Sequence, residues 1–185
     1  MKSKAAVLIH GYHLEAHGWE SVVWGDLEKD VWGVIPRGVE YAWRTKADLI
    51  VWGTGASERD GKKEAEVMYE RGIEGIDELA RICGTKPKVL KEFLESRSFQ
   101  EADSKDTNSE MRNTLELCLR RDITNVTCVI AASHAPLAAR RALWMVLEDE
   151  SPSTNPPHIH NLTLKNLFSP LNGDITQQHC EKTMG

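Results

Sequence analysis

The sequence predicts one three-layer α/β domain with a mainly parallel sheet, and three observations predict it. Residues 5–9, 47–52 and 126–132 form near-continuous apolar runs rich in Ala, Val and Ile. Strands buried on both faces read this way, because helices cover both sides of a parallel sheet. Stretches with helical spacing separate the runs, as crossovers between parallel strands require. Each run also stops at a small or reactive residue: His10 and Gly11, then Gly53, Thr54 and Gly55, then Ser133 and His134. In open α/β sheets the ligand crevice lies beyond the carboxyl ends of the strands, so these stops mark the expected site.

The elements follow in order. After the first strand comes a long connection, residues 11–36, which holds Trp19, Trp24 and Trp32 among acids and glycines. Rings of that size in a connection either plug the top of a core or line a pocket. A short helix over 37–46 leads into the second strand. Residues 62–83 read as a helix with Ala65, Met68, Ile73, Ile76, Leu79 and Ala80 near one face, and Gly72 and Gly75 mark a break in it. Residues 86–94 read as another short helix, and 96–105 as a loop with a short strand around Phe99. A helix over 108–121, the strand 126–132, a helix over 137–148 and a last strand over 158–164 complete the pattern. The α/β domain is expected to span residues 1–168, with 169–185 as a tail.

Composition narrows the class. With 185 residues and no Pro/Gly/Ser-rich linker, the chain fits one domain with a sizeable core. Lys and Arg number 23 against 28 acids, for a net charge of -5. The attraction to a phosphate backbone that nucleic-acid binding needs is missing, so a small-molecule partner is expected rather than a nucleic acid. The opening residues are too few and too polar for a signal-peptide core or a membrane span, which points to a cytoplasmic protein without membrane contact. Cys83, Cys118, Cys128 and Cys180 show no C-x-x-C spacing and read as reduced, mostly buried thiols.

Several site signatures are excluded. Gly53-Thr54-Gly55 lacks the third glycine of a dinucleotide fingerprint, and neither a phosphate-loop Gly-Lys-Ser/Thr nor an H-E-x-x-H zinc helix occurs. His10, His13 and His17 cluster after the first strand, and His13 and His17 share a face if that loop is helical. No complete ligand set accompanies them, so no metal site is expected and the fold should need none. Ser133 lies on a strand-to-helix turn, but Ala131 and Ala135 stand where a nucleophile elbow needs glycines. A Ser133, Asp149, His158 triad is the remaining hydrolase alternative.

Four motifs in order carry a resemblance. Gly53-Thr54-Gly55-Ala56-Ser57 followed by Glu64-Ala65, then Ser104-Lys105-Asp106-Thr107 with Glu110 and Asn113, then Ala132-Ser133-His134, together resemble the YdcF-like superfamily, the domain of unknown function shared with the SanA and ElyC envelope proteins. The opening strand with Gly11, and Arg37 before Ala42, fall in the matching order, so the resemblance covers roughly residues 4 to 168. Two positions depart from the family pattern. Asp106 stands where the family has Asn, unless Thr107-Asn108 supplies that pair. Leu137 stands where it has Arg, with Arg141 one turn further on the same helical face. The resemblance implies a Rossmann-like fold and a ligand pocket, without a settled reaction.

Two function classes follow. In the first, the chain is an enzyme acting on a small polar molecule bearing a phosphate or nucleotide. His134 is then general acid or base, and Glu64 and Asp106 orient it or activate water. Gly11, Gly53, Thr54, Gly55, Thr107, Asn108 and Ser133 line the ligand, and Arg37 with Arg140 or Arg141 supplies positive charge. In the second, the chain binds an adenosyl ligand such as S-adenosylmethionine, or another nucleotide-type ligand, without turnover. Structural roles stand beside these. Thr107-Asn108-Ser109-Glu110 fits a helix capping box, Glu64 suits a first helical turn electrostatically, and Gly53 and Gly55 suit a tight turn.

Overall fold

The computed structural model describes residues 3–131 and the strand 163–169. Five strands form one parallel sheet: β1 (Ala5–Ile9), β2 (Leu49–Gly53), β3 (Ser98–Glu101), β4 (Asn125–Ala131) and β5 (Thr163–Ser169). Their spatial order is β3-β2-β1-β4-β5, with β1 between β2 and β4. The chain therefore winds outward from β1 in one direction and restarts at β4 in the other. The point of reversal, beyond the carboxyl ends of β1 and β4, is where sheets of this order form a crevice.

Alternation along the strands divides the core in two. Val7, Ile9, Ile50, Trp52, Val129 and Ala131 face one side, where α1 (Trp19–Val23), α2 (Val34–Thr45), α3 (Glu64–Glu74), α4 (Ile76–Ile82) and α5 (Pro87–Arg97) contribute buried side chains. Ala6, Leu8, Leu49, Val51, Val126 and Cys128 face the other, against Met111, Leu117 and Cys118 of α6 (Thr107–Arg120). Helices on both faces make the three layers expected from the uninterrupted apolar strands.

The helices differ from expectation where a local signal is ambiguous. Helix α2 starts at Val34, three residues before the expected start. Pro36 reads as the end of a loop, yet a proline in the first turn forfeits no intrahelical bond. The 62–83 stretch breaks at Gly75, between α3 and α4. A Cβ on Gly75 would overlap the six-membered ring of Trp24, which is core-buried and stacked under the Arg71 guanidinium at 3.7 Å. Gly75→Ala should therefore push Trp24 out of place and cost about 1–3 kcal/mol, as overpacking does. A urea melt with unchanged slope and a lower midpoint is the expected result.

The described part of the last strand, Thr163–Ser169, pairs in register along all of β4, from Asn125 with Thr163 to Ala131 with Ser169, while residues 158–162 of the expected strand lie outside the described residues. The 11–36 connection contains α1, a 3-10 turn (Leu27–Lys29) and a two-residue ribbon, Gly25–Asp26 with Val31–Trp32. Its tryptophans plug the core. Trp19 and Trp24 are buried, the Trp19 Nε1 donates to the Tyr12 carbonyl at 2.8 Å, and Trp32 stacks under Arg37 at 4.8 Å. Among the described residues no helix is long and apolar enough to cross a membrane. Burial pushes the Cys83 and Cys128 thiols up to about 12 and the Cys118 thiol to about 11, which makes them packing groups rather than nucleophiles.

Candidate functional site

The carboxyl ends of β1, β2 and β3 deliver His10, Gly53 and Glu101 to one edge of the sheet. His10 is held there by its own amide, which donates to the Val129 carbonyl of β4 at 2.9 Å. Its Nδ1 lies in buried contact with Glu110 Oε2 in the first turns of α6. Glu110 is wholly buried, and its Oε1 lies against Gly53, where a Cβ would occupy the same space. Glycine at that strand end is thus required by a carboxylate, because only a bare α-carbon leaves it room.

Glu64 reaches the same corner from α3. Ten residues separate the end of β2 from Glu64, and they fold back on themselves. Glu58–Arg59 pairs antiparallel with Lys62–Lys63 across Asp60 and Gly61, both at positive φ (53° and 78°). Asp-Gly with two positive φ values is the two-residue hairpin turn that suits twisted strands. The Glu64 amide then donates to the Ser57 carbonyl at 3.1 Å, and the Ala65 amide to the Thr54 carbonyl at 2.9 Å, docking α3 on the glycine turn. Ser57 Oγ accepts from the Leu14 amide at 3.0 Å and donates to Glu64 Oε2. Glu64 Oε1 lies against Gly11, whose Cβ position is also 2.7 Å from Thr54 Cγ2 and 2.8 Å from the Gly53 carbonyl oxygen.

A second buried carboxylate network supports the turn from below. Glu101 Oε1 accepts from the amides of Asp103 (3.2 Å) and Ser104 (3.0 Å) and from Asn113 Nδ2 (2.9 Å). Ser104 Oγ bonds Thr54 Oγ1 at 2.5 Å and accepts from the Gly55 amide at 3.3 Å. Gly55 packs directly on the Ala102 carbonyl, where a side chain would not fit.

The site is acidic and poorly satisfied. Among the described residues, Glu64 Oε1, Glu101 Oε2 and both Glu110 oxygens are buried without a hydrogen bond, although Glu110 Oε2 faces the His10 ring. Burial, together with the nearby Glu110 charge, raises the Glu64 carboxyl from 4.5 to about 7, against the opposing effects of the Ser57 hydrogen bond and His10. A carboxyl that titrates near neutrality can take or give a proton at working pH. Ser57→Ala should raise the Glu64 midpoint further, because it removes the hydrogen bond that favours the ionised form. A carboxyl-resolved NMR titration reads that direction.

The expected site residues separate into three groups. Gly11, Gly53, Thr54, Gly55 and Glu64 come together at the β1 and β2 ends. Asp106 does not join them. It is exposed and caps α6, with its Oδ1 accepting from the Ser109 amide at 2.8 Å. The capping box is therefore Asp106 with Ser109, not Thr107 with Glu110, which leaves Glu110 available for the interior. Thr107 and Asn108 occupy the first turn of α6, half-buried and exposed respectively. Arg37 sits in the first turn of α2, stacked on Trp32, with its buried Nε making no hydrogen bond among the described residues. Ser133, His134, Arg140, Arg141, Asp149 and His158, and the helix expected over 137–148, lie outside the described residues.

Glu101 is a site residue that motif reading missed, while His10 was marked only as a strand-end stop and Ser57, Ser104 and Glu110 stood in the motifs without a chemical role. The signal for Glu110 is its position on α6, where Glu110, Met111, Thr114, Leu117 and Cys118 form one buried stripe. A carboxylate in an apolar stripe is rarely buried without a specific reason. The histidine cluster dissolves, since His10 is buried while His13 and His17 are exposed on a connection that is not helical there. Among the described residues no group of three or more His, Cys, Asp or Glu is arranged to hold a metal ion. Comparison with family models, curated proteins and solved structures finds no match. Fold and site together define a parallel α/β protein with buried carboxylates, partly unsatisfied among the described residues, at the carboxyl ends of β1 and β2.

Proposed function

We propose that the chain is a YdcF-like enzyme acting on a small polar molecule that carries a phosphate or nucleotide, with Glu64 as the proton acceptor. The observation that carries this reading is Glu64 itself: buried, shifted to about 7, and with Oε1 making no hydrogen bond among the described residues at the β1 end. Ser57 fixes one carboxylate oxygen and so orients the other, the arrangement a general base needs. The resemblance is supported by the residues that carry it, since Gly53, Glu64, Ser104 and Glu110 all belong to one connected set of contacts. The His10 and Glu110 pair lies close enough to Glu64 to act on its charge. Carboxylates repel phosphate, so the anionic end of the substrate belongs at the rim, toward Arg37 and the start of α6.

The test is incubation of the full chain with a library of phosphorylated and nucleotide-bearing small molecules, read by mass spectrometry for product. A base that must be ionised gives activity that falls as pH drops through about 7, and Glu64→Gln should lower kcat/KM by about 100-fold or more. Thermal stabilisation by an adenosyl compound such as S-adenosylmethionine with no product formed from any library member would favour a binding module instead.

A further inference from the structure

Glu64 is 1% exposed and Glu110 is 0% exposed, and the Oε1 atoms of both are buried without a hydrogen bond among the described residues. These two oxygens lie over Gly11 and Gly53, whose own positions adjoin, since the Gly11 Cβ direction meets the Gly53 carbonyl oxygen at 2.8 Å. Two donors of the glycine turn are committed: the Gly55 amide to Ser104 Oγ and the Ala56 amide to Thr54 Oγ1, each at 3.3 Å. Leaving a buried acceptor unmade is costly, and more so when it is charged. The corner thus presents acceptors and negative charge, and is complementary to a group that has several N–H donors and a positive charge.

We propose that the innermost group of the ligand is a protonated primary amine, seated at Glu64 Oε1 and Glu110 Oε1 above Gly11 and Gly53. This deepens the proposed function, resting on its assignment of the site, and names the end of the substrate that enters first. An ammonium has donors enough for both oxygens and neutralises charge as it binds. A hydroxyl pair would fill acceptors but leave the charge uncompensated, and a phosphate would add to it. Specificity follows from the same geometry, because a buried site built to be filled by donors rejects a ligand that lacks them. The titratable groups facing Glu64 are Glu110 from α6 and His10 after β1. An ammonium favours the ionised carboxylate, so its affinity should rise with pH through the range in which Glu64 ionises.

The experiment uses the full chain labelled with 13C at glutamate carboxyls, titrated with ethylammonium chloride and, in parallel, with potassium chloride at equal ionic strength, D-ribose and inorganic phosphate. Ethylammonium should shift the Glu64 resonance saturably and lower its midpoint by about half a pH unit or more. Glu110→Gln, if it folds, should weaken that effect several-fold. An equal shift with potassium chloride, a stronger one with ribose or phosphate, or none with ethylammonium would overturn the proposal. Product from the phosphate library without an ethylammonium effect would sink this inference alone. An ethylammonium effect without product would sink only the proposed reaction.

Discussion

Replacing Glu110 by alanine should cost the fold about 3 kcal/mol, near the low end for truncating a large, fully buried side chain. The carboxylate is wholly buried, pairs with His10 and fills the space that Gly53 leaves. Its loss removes the buried contact with the His10 ring and opens a void at the β2 end. The loss falls short of the upper end because Glu110 also repels Glu64, and that repulsion disappears with it. Two readouts separate the effects: the urea midpoint should drop, and the Glu64 midpoint should fall toward the ordinary carboxylate range. A variant as stable as the parent would mean that the pair contributes nothing to folding.

Glu64→Gln should do the reverse at alkaline pH, raising stability by about 2–3 kcal/mol at pH 8 and leaving it little changed at pH 5. The sign follows from the direction of the shift. The folded chain holds the Glu64 proton up to about 7, whereas the unfolded chain releases it near 4.5. The contribution of this group is therefore fully present below about 4.5, declines as pH rises to about 7, and is absent above. Glutamine cannot ionise and escapes the penalty. For a chain of this size each kcal/mol moves the melting temperature by about 2–4 °C, so the two melting curves should diverge by several degrees between pH 5 and pH 8. A substitution that stabilises the fold while abolishing turnover is the behaviour of a group kept for chemistry, because active sites tolerate local strain that a purely structural residue would not.

The sheet was legible because apolar runs buried on both faces need no tertiary information to be recognised, and β1, β2 and β4 lie within a residue or two of their expected bounds. Strand order was not, since nothing local says that β1 sits between β2 and β4. β3 was only faintly visible because Ser98-Phe99-Gln100-Glu101 is a polar edge strand with one buried side chain. In the site, the glycine turn and Glu64 were readable from residue type and spacing. Glu110 was hidden by a plausible local role, the capping box that Asp106 and Ser109 in fact form. His10 was marked as a strand-end stop but given no partner, Glu101 was not marked at all, and only packing against neighbouring elements reveals that both are buried. Buried polarity is a tertiary property, which a one-dimensional pattern shows only where it interrupts a stripe, as Glu110 does on α6.

Burial beside Glu110 and His10 holds the Glu64 carboxyl half-ionised near neutral pH. The most direct test is a 13C carboxyl NMR titration of the wild-type chain, with the Glu64 resonance assigned by its disappearance in Glu64→Gln. The arrangement at the β1 end predicts a Glu64 midpoint near 7, well above the exposed glutamates. A midpoint for Glu64 in the ordinary range around 4.5 would contradict it.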